Sequence, residues 1–197
     1  MIKQVALLAV ALTSLMLINP LKACERPEPC ARTDAMPEMV RMERYRGPTP
    51  SCVPNGKTVT TKDLQKLIEE KSPLLIDVLS VLRRPESTDF DGDWLPNNER
   101  LSLPSAVWLP NVGYGMPDND IKQWFGQTLS QLSKQDESKP IVFFCIADCW
   151  MSWNAVQHAS NLGYDQLYWY KDGTDGWSEA DLPLVPVDPL PLVLDEP

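Results

Sequence analysis

The stretch FFCIADCWMSWNA, residues 143–155, holds two cysteines, two tryptophans and a serine. Cys145 closes the apolar run Pro140-Ile141-Val142-Phe143-Phe144. Ile146, Ala147 and Asp148 lead to Cys149, which is followed by Trp150, Met151, Ser152 and Trp153. A cysteine thiolate is a nucleophile and a metal ligand. Where the chain folds back, two thiols at this spacing reach disulfide distance, roughly 5.5–6 Å between α-carbons. Such a pair suits dithiol/disulfide cycling, with one thiol attacking and the other resolving. Cys145 is the expected nucleophile and Cys149 the resolving partner. Trp150 and Trp153 either shield the pair, offer a flat binding surface or are ordinary core aromatics.

Metal binding is disfavoured. A closed zinc site needs four ligands, and the chain has one histidine, His158, about two turns into the next helical segment. The remaining cysteines lie far upstream. Asp89, Asp91 and Asp93 hint at calcium. In an EF-hand register, however, the last ligand position falls on Asn98 instead of the bidentate glutamate.

The elements that must position the thiols follow from pattern. Thr60 or Thr61 reads as a helix N-cap with Asp63 in the first turn. Leu64, Leu67 and Ile68 recur at helical spacing, and Pro73 marks the stop. Residues 74–79 and 105–109 are short strand-like runs. Residues 83–103 read as a long polar loop. Ile121, Trp124, Phe125, Leu129 and Leu132 share one face of a helix over 118–132. Residues 141–144 form the clearest strand, 152–162 a helix ending at Gly163, 167–170 a last strand and 172–176 a turn. Alternating strands and helices predict an α/β domain with a mostly parallel sheet. Cys145 then ends a buried strand just ahead of a helix N-terminus. Ligand sites favour that edge, and free N–H groups there stabilise an anion. This placement is the reason for expecting the backbone N–H groups of 146–151 around the Cys145 sulfur. Asp77, at its own strand end, reads as a structural hydrogen-bonding carboxylate.

The N-terminus is different material. Lys3 precedes a nearly unbroken apolar run from Val5 to Ile18, too short for the ~20 residues of a membrane span and suited to a signal-peptide core. Residues 1–23 are therefore expected to be a signal peptide and the protein periplasmic, in an oxidising compartment. No transmembrane helix is expected in the mature form. Residues 24–57 form an irregular, proline-rich arm with Cys24, Cys30 and Cys52. Residues 58–183 form the domain, and 184–197 a proline-rich tail over the surface. Leu21-Lys22-Ala23-Cys24 is close to a lipobox, which makes Cys24 a lipidation candidate and Cys30 with Cys52 a structural disulfide candidate. Without lipidation, Cys24 with Cys30 is equally open. The formal charge of −9 argues against nucleic acid as a partner.

LLIDVL at 74–79, LPSAVWLP at 103–110, PIVFFC at 140–145 and LGYDQLYWYKDGTDGW at 162–177 stand in rhodanese order. DCWMSWNA and GTDGW resemble more closely the rhodanese-like family associated with PQQ-dependent catabolism and named for its Cys-Trp motif. The resemblance implies a rhodanese-like α/β domain with a mostly parallel central sheet flanked by helices. It also implies a periplasmic redox or quinoprotein partner. No cofactor is certain; a persulfide or a redox cofactor fits the loop. A sulfur-transferring loop carries a glycine three residues after the cysteine and an arginine five after. Here Asp148 and Trp150 stand there, and Ser152 comes one residue late, which suggests a longer loop. Asp148 repels thiosulfate. Arg83 or Arg84 is the candidate replacement cation, and Asp175 and Trp177 are expected to wall the loop. Three functions follow: thiol/disulfide or persulfide chemistry, a non-catalytic binding module, or sulfur transfer from a donor other than thiosulfate.

Overall fold

The computed structural model describes residue 30, residues 40–84 and residues 94–194. The expected signal peptide, Cys24 and the acidic run at 89–93 lie outside the described residues. In chain order the elements are β1 (Lys57–Thr58), α1 (Thr61–Lys71), β2 (Leu74–Asp77), β3 (Leu82–Arg83), β4 (Trp94–Leu95), β5 (Arg100–Ser102) and β6 (Val107–Trp108). They continue with α2 (Asn119–Ser133), β7 (Ile141–Phe144), α3 (Trp150–Asn161), β8 (Leu167–Tyr170), α4 (Gly173–Glu179) and β9 (Val185–Val187).

Five strands form one sheet in the order β1-β8-β7-β2-β6, and every pairing is parallel. β7 is central: Val142 pairs with Leu75 on one side and Tyr168 on the other. Its four residues are all buried, as expected of a strand covered on both faces. Alternate side chains serve two cores. Ile76, Ile141, Phe143, Leu167 and Trp169 pack with Trp124, Phe125 and Leu129 of α2 and Trp153, Ala155 and Val156 of α3. Leu75, Val142, Phe144, Tyr168 and Tyr170 pack with Leu64 and Leu67 of α1 and Trp177 of α4. The sheet therefore delivers Cys145 at the carboxyl end of its middle strand.

Local signals explain the helix ends. The Thr60 side chain accepts from the Asp63 N–H at 3.2 Å, and the Asp63 carboxylate accepts from the Thr60 N–H at 3.3 Å. This reciprocal cap is worth about 1 kcal/mol. α1 stops at Ser72, which is left-handed at φ 45° ahead of Pro73.

Four sequence expectations need correction. α3 starts at Trp150, two residues earlier than expected, so the connection from β7 is a compact turn over 145–149 and not a lengthened loop. Residues 172–176 are mostly the first turns of α4. The stretch 83–103 contains β4 and β5, with β4 antiparallel to β3. The proline-rich tail carries β9, which pairs antiparallel with β5. Its Leu190 carbonyl accepts from the Trp94 indole at 2.8 Å. The Leu190 N–H donates to the Trp108 carbonyl at 2.9 Å, so the tail is fastened to β5, to Trp94 and to Trp108.

Candidate active site

Cys145 and Cys149 are both free thiols, and both are buried, at 0% and 2% exposure. The turn between them is held from three sides. The Cys145 carbonyl accepts from the Thr174 N–H at 3.0 Å and from the Arg100 guanidinium at 3.3 Å. The Asp175 carboxylate accepts from the Ala147 N–H at 3.0 Å. Ile146 bridges Gly173. Gly173 has φ 56°, and a β-carbon there would lie 2.4 Å from the Cys145 carbonyl oxygen, so only glycine fits. Asp148 turns the chain at φ 54° and stays exposed.

The third side is the N-terminal arm, expected to be irregular. Tyr45 accepts from the Trp150 N–H at 2.8 Å, and Gly47 donates to the Asp148 carbonyl at 2.9 Å. Arg46 sits between them, bridged antiparallel to Cys149. Cys30 and Cys52 are joined as a disulfide, with α-carbons 5.6 Å apart. The Cys52 carbonyl accepts from the Trp153 indole at 3.2 Å. Further along, Asn154 exchanges two 2.8 Å hydrogen bonds with the Arg41 backbone.

The two thiols have opposite character. Burial pushes Cys145 well up, the charge of Cys149 and then of Asp77 adds to this, and only the Ile146 N–H pulls down. Cys149 is drawn down, first by the hydrogen bond from the Cys145 thiol. Burial opposes this; the Met151 N–H, the Arg46 charge and the Ser152 N–H reinforce it. Cys149 is the N-cap of α3, a position where the helix end stabilises an anion. No full cap hydrogen bond reaches its sulfur, so the helix acts by charge. Of the N–H groups expected around Cys145, only that of Ile146 serves it; Ala147 donates to Asp175, Trp150 to the Tyr45 carbonyl, and the Met151 N–H acts on Cys149, whose thiol is the one drawn down. The strand end alone did not decide, because burial at Cys145 outweighs one N–H.

The other expected site residues fall as follows. Trp150 and Trp153 are buried, edge to face at 5.5 Å, and shield the pair instead of offering a surface. Met151 is buried, and its carbonyl leaves no room for a β-carbon at Gly113. Ser152 donates to the Cys149 carbonyl at 3.1 Å and accepts from the Trp169 indole at 2.9 Å, which commits its one proton. Arg83 pairs with Asp120 on α2, and Arg84 has a partner of its own. Trp177 packs in the opposite core against Tyr170 and donates to the Pro183 carbonyl; it does not wall the loop. Asp77 is wholly buried, with Arg100 at 2.8 Å, the Ser102 hydroxyl at 2.7 Å and the Leu79 N–H at 3.0 Å. Burial raises its carboxyl, and Arg100 heads the groups that oppose the rise.

Two site residues escaped sequence reading, Arg46 and Arg100. Both reach the loop from distant segments without periodicity. Among the described residues no three metal-ligating side chains gather. A cavity of about 620 Å³ opens at this sheet edge, lined among others by Ile146, Asp175, Arg100, Glu99 and Tyr114.

A central parallel strand ending in a cysteine, a tight turn and a following helix define the architecture. The Rhodanese-like domain model matches residues 60–180, more than half of the chain. The chain belongs to the rhodanese-like family. A comparison with curated proteins gives no match. Solved structures similar to this rhodanese-like chain include a polysulfide-sulfur transferase homodimer from Wolinella succinogenes. It is 19% identical, with a TM-score of 0.41, covering 68% of this chain and 80% of that one. A human single-domain sulfurtransferase is 21% identical, with a TM-score of 0.39, covering 63% and 96%. A Saccharomyces cerevisiae protein without an assigned function is 18% identical, with a TM-score of 0.39, covering 64% and 93%. Within the described residues of this rhodanese-like protein, no helix is long and apolar enough to cross a membrane.

Proposed function

We propose that this protein carries out thiol/disulfide exchange through Cys149 and Cys145. The carrying observation is the placement of two free thiols at the carboxyl edge of a rhodanese-like sheet, Cys145 just past the central strand and Cys149 at the N-cap of the following helix, bridged to Arg46. The Cys149 thiolate attacks one sulfur of a substrate disulfide. A new S–S bond forms, and the other substrate sulfur leaves as a thiolate. The Cys145 thiol then gives up its proton to solvent or to the departing thiolate and attacks the Cys149 sulfur. This closes a Cys145–Cys149 disulfide and expels the second substrate thiolate. The protein is oxidised by two electrons and the substrate reduced by two. The reverse sequence oxidises a dithiol substrate.

Family membership favours a second reading on the same atoms, in which Cys149 accepts sulfane sulfur as a persulfide and passes it to a nucleophile. Thiosulfate is a poor donor in this reading, because Asp148 is exposed on the turn and no loop arginine follows it. Export to the periplasm is part of the proposal. It is supported by the signal-like residues 1–23 and by the Cys30–Cys52 disulfide, a bond of oxidising compartments. The motif likeness supports a partner in PQQ-dependent alcohol catabolism.

Intact-mass analysis of the reduced protein after one turnover separates the readings. Exchange gives a loss of two hydrogens and a Cys145–Cys149 cross-link. Sulfur transfer gives a gain of one sulfur on a single cysteine. Unchanged thiols with disulfide, polysulfide and thiosulfate alike would leave only a non-catalytic binding role.

A further inference from the structure

We infer that Arg46 of the N-terminal arm is the cation of this site, steadying the Cys149 thiolate and selecting anionic disulfides and thiols as substrates. The inference rests on Cys149 being the attacking thiol.

The arm is fixed in register on the turn. Arg46 is the residue bridged to Cys149, and the hydrogen bonds of Tyr45 and Gly47 close on either side of it. Paired antiparallel residues have α-carbons about 4.5–5.5 Å apart, so Arg46 is a direct neighbour of the thiol-bearing backbone. The segment does not slide freely. Tyr45 donates to the Met42 carbonyl at 2.7 Å, and its hydroxyl accepts from the Gly115 N–H at 3.0 Å. Its ring meets Tyr114 edge to face at 5.3 Å.

Three other arginines near this edge are committed, and Arg44, on the same arm, is not the residue bridged to Cys149. Arg41 lies over the Trp150 ring at 5.1 Å, Arg83 pairs with Asp120, and Arg100 is bound to Asp77. Among the described residues no carboxylate forms an ion pair with Arg46, and its side chain is exposed. Its charge acts on Cys149. The turn otherwise presents Asp148 and Asp175, in a chain of net charge −9. Such a surface slows the approach of anionic reagents unless a local cation reverses the field. The turn 145–149 has no arginine of its own, and Arg46 brings a cation to it from outside the loop.

The test uses the full chain with its thiol pair reduced. Reaction rates are measured with anionic 5,5′-dithiobis(2-nitrobenzoate) and with cationic cystamine, and the reactive cysteine is identified by peptide mapping after irreversible labelling with limiting iodoacetamide. The ratio of the two rates removes the thiolate fraction, and comparison between variants removes intrinsic reagent reactivity. Arg46→Gln should lower the anion-to-cation ratio about three- to tenfold and shift the pH profile of Cys149 alkylation upward. Arg46→Lys should restore most of both. Because Arg46 is exposed, high salt should flatten the wild-type preference. An unchanged ratio and unchanged profile in Arg46→Gln would overturn the inference while leaving Cys149 as nucleophile. Labelling mapped to Cys145 would overturn the reading beneath it.

Discussion

At Cys149 four influences lower the thiol and one raises it, and the sum is downward. At Cys145 burial leads and the neighbouring charges add to it. Alkylation by iodoacetamide should therefore reach half its maximal rate at Cys149 below the ordinary thiol value of about 8.5, with Cys145 unlabelled in that range. The linkage signs differ. The Cys149 contribution to stability is present above the unfolded thiol value and is lost as pH falls through the lower folded value. The Cys145 contribution is present below the unfolded value and is lost as pH rises toward its higher folded one. Equal labelling of both thiols across pH would contradict the assignment. Asp77 belongs to this scale too. Asp77→Asn leaves Arg100, whose side chain is 10% exposed, without its counter-charge. Urea unfolding should register a loss of about 3–5 kcal/mol. A loss below about 1 kcal/mol would mean that Arg100 finds water or another partner.

At the scale of elements, the central strands were legible because they are long apolar runs buried on both faces. The expectations for 141–144 and 167–170 coincide with β7 and β8. α1 was legible from Thr60, Asp63 and the Leu64/Leu67 spacing. β3, β4, β5 and β9 have two or three residues each, too few for a period, and β9 contains Pro186, which argues against a strand except at an edge. α4 was hidden by Asp-Gly-Thr-Asp-Gly, a turn-like composition that the Cys145–Thr174 hydrogen bond converts into a helix start. The thiol pair was legible from its spacing. The order of acidity was not, since it depends on the arm and on the depth of Cys145 in the sheet. The arm is an element in its own right. Closing a span of 22 residues with the Cys30–Cys52 disulfide stabilises a fold by about 3 kcal/mol. The double variant Cys30→Ser with Cys52→Ser should lose about that much in urea unfolding. It should also raise the alkylation rate of Cys149 at saturating pH, because the cover over it loosens. No gain in rate would mean that the Tyr45 and Gly47 hydrogen bonds alone keep the arm seated.

At the scale of the molecule, an acidic rhodanese-like domain places its reactive pair under its own N-terminal arm. The arm, the turn 145–149, α4 and the tail-bound strand pair meet at one edge of the sheet. In the proposed mechanism substrate access depends on the arm, and reactivity depends on a cation that the arm carries. The central claim is that Cys149 attacks and Cys145 resolves. Its most direct test is trapping with a small disulfide in the two serine variants, read by mass spectrometry of the intact chain. Cys145→Ser should hold a stable mixed disulfide on Cys149, because nothing remains to displace it. Cys149→Ser should trap far less, because Cys145 lies deeper and keeps its proton. Stable adducts on Cys145 in Cys149→Ser, with none on Cys149 in Cys145→Ser, would contradict the account.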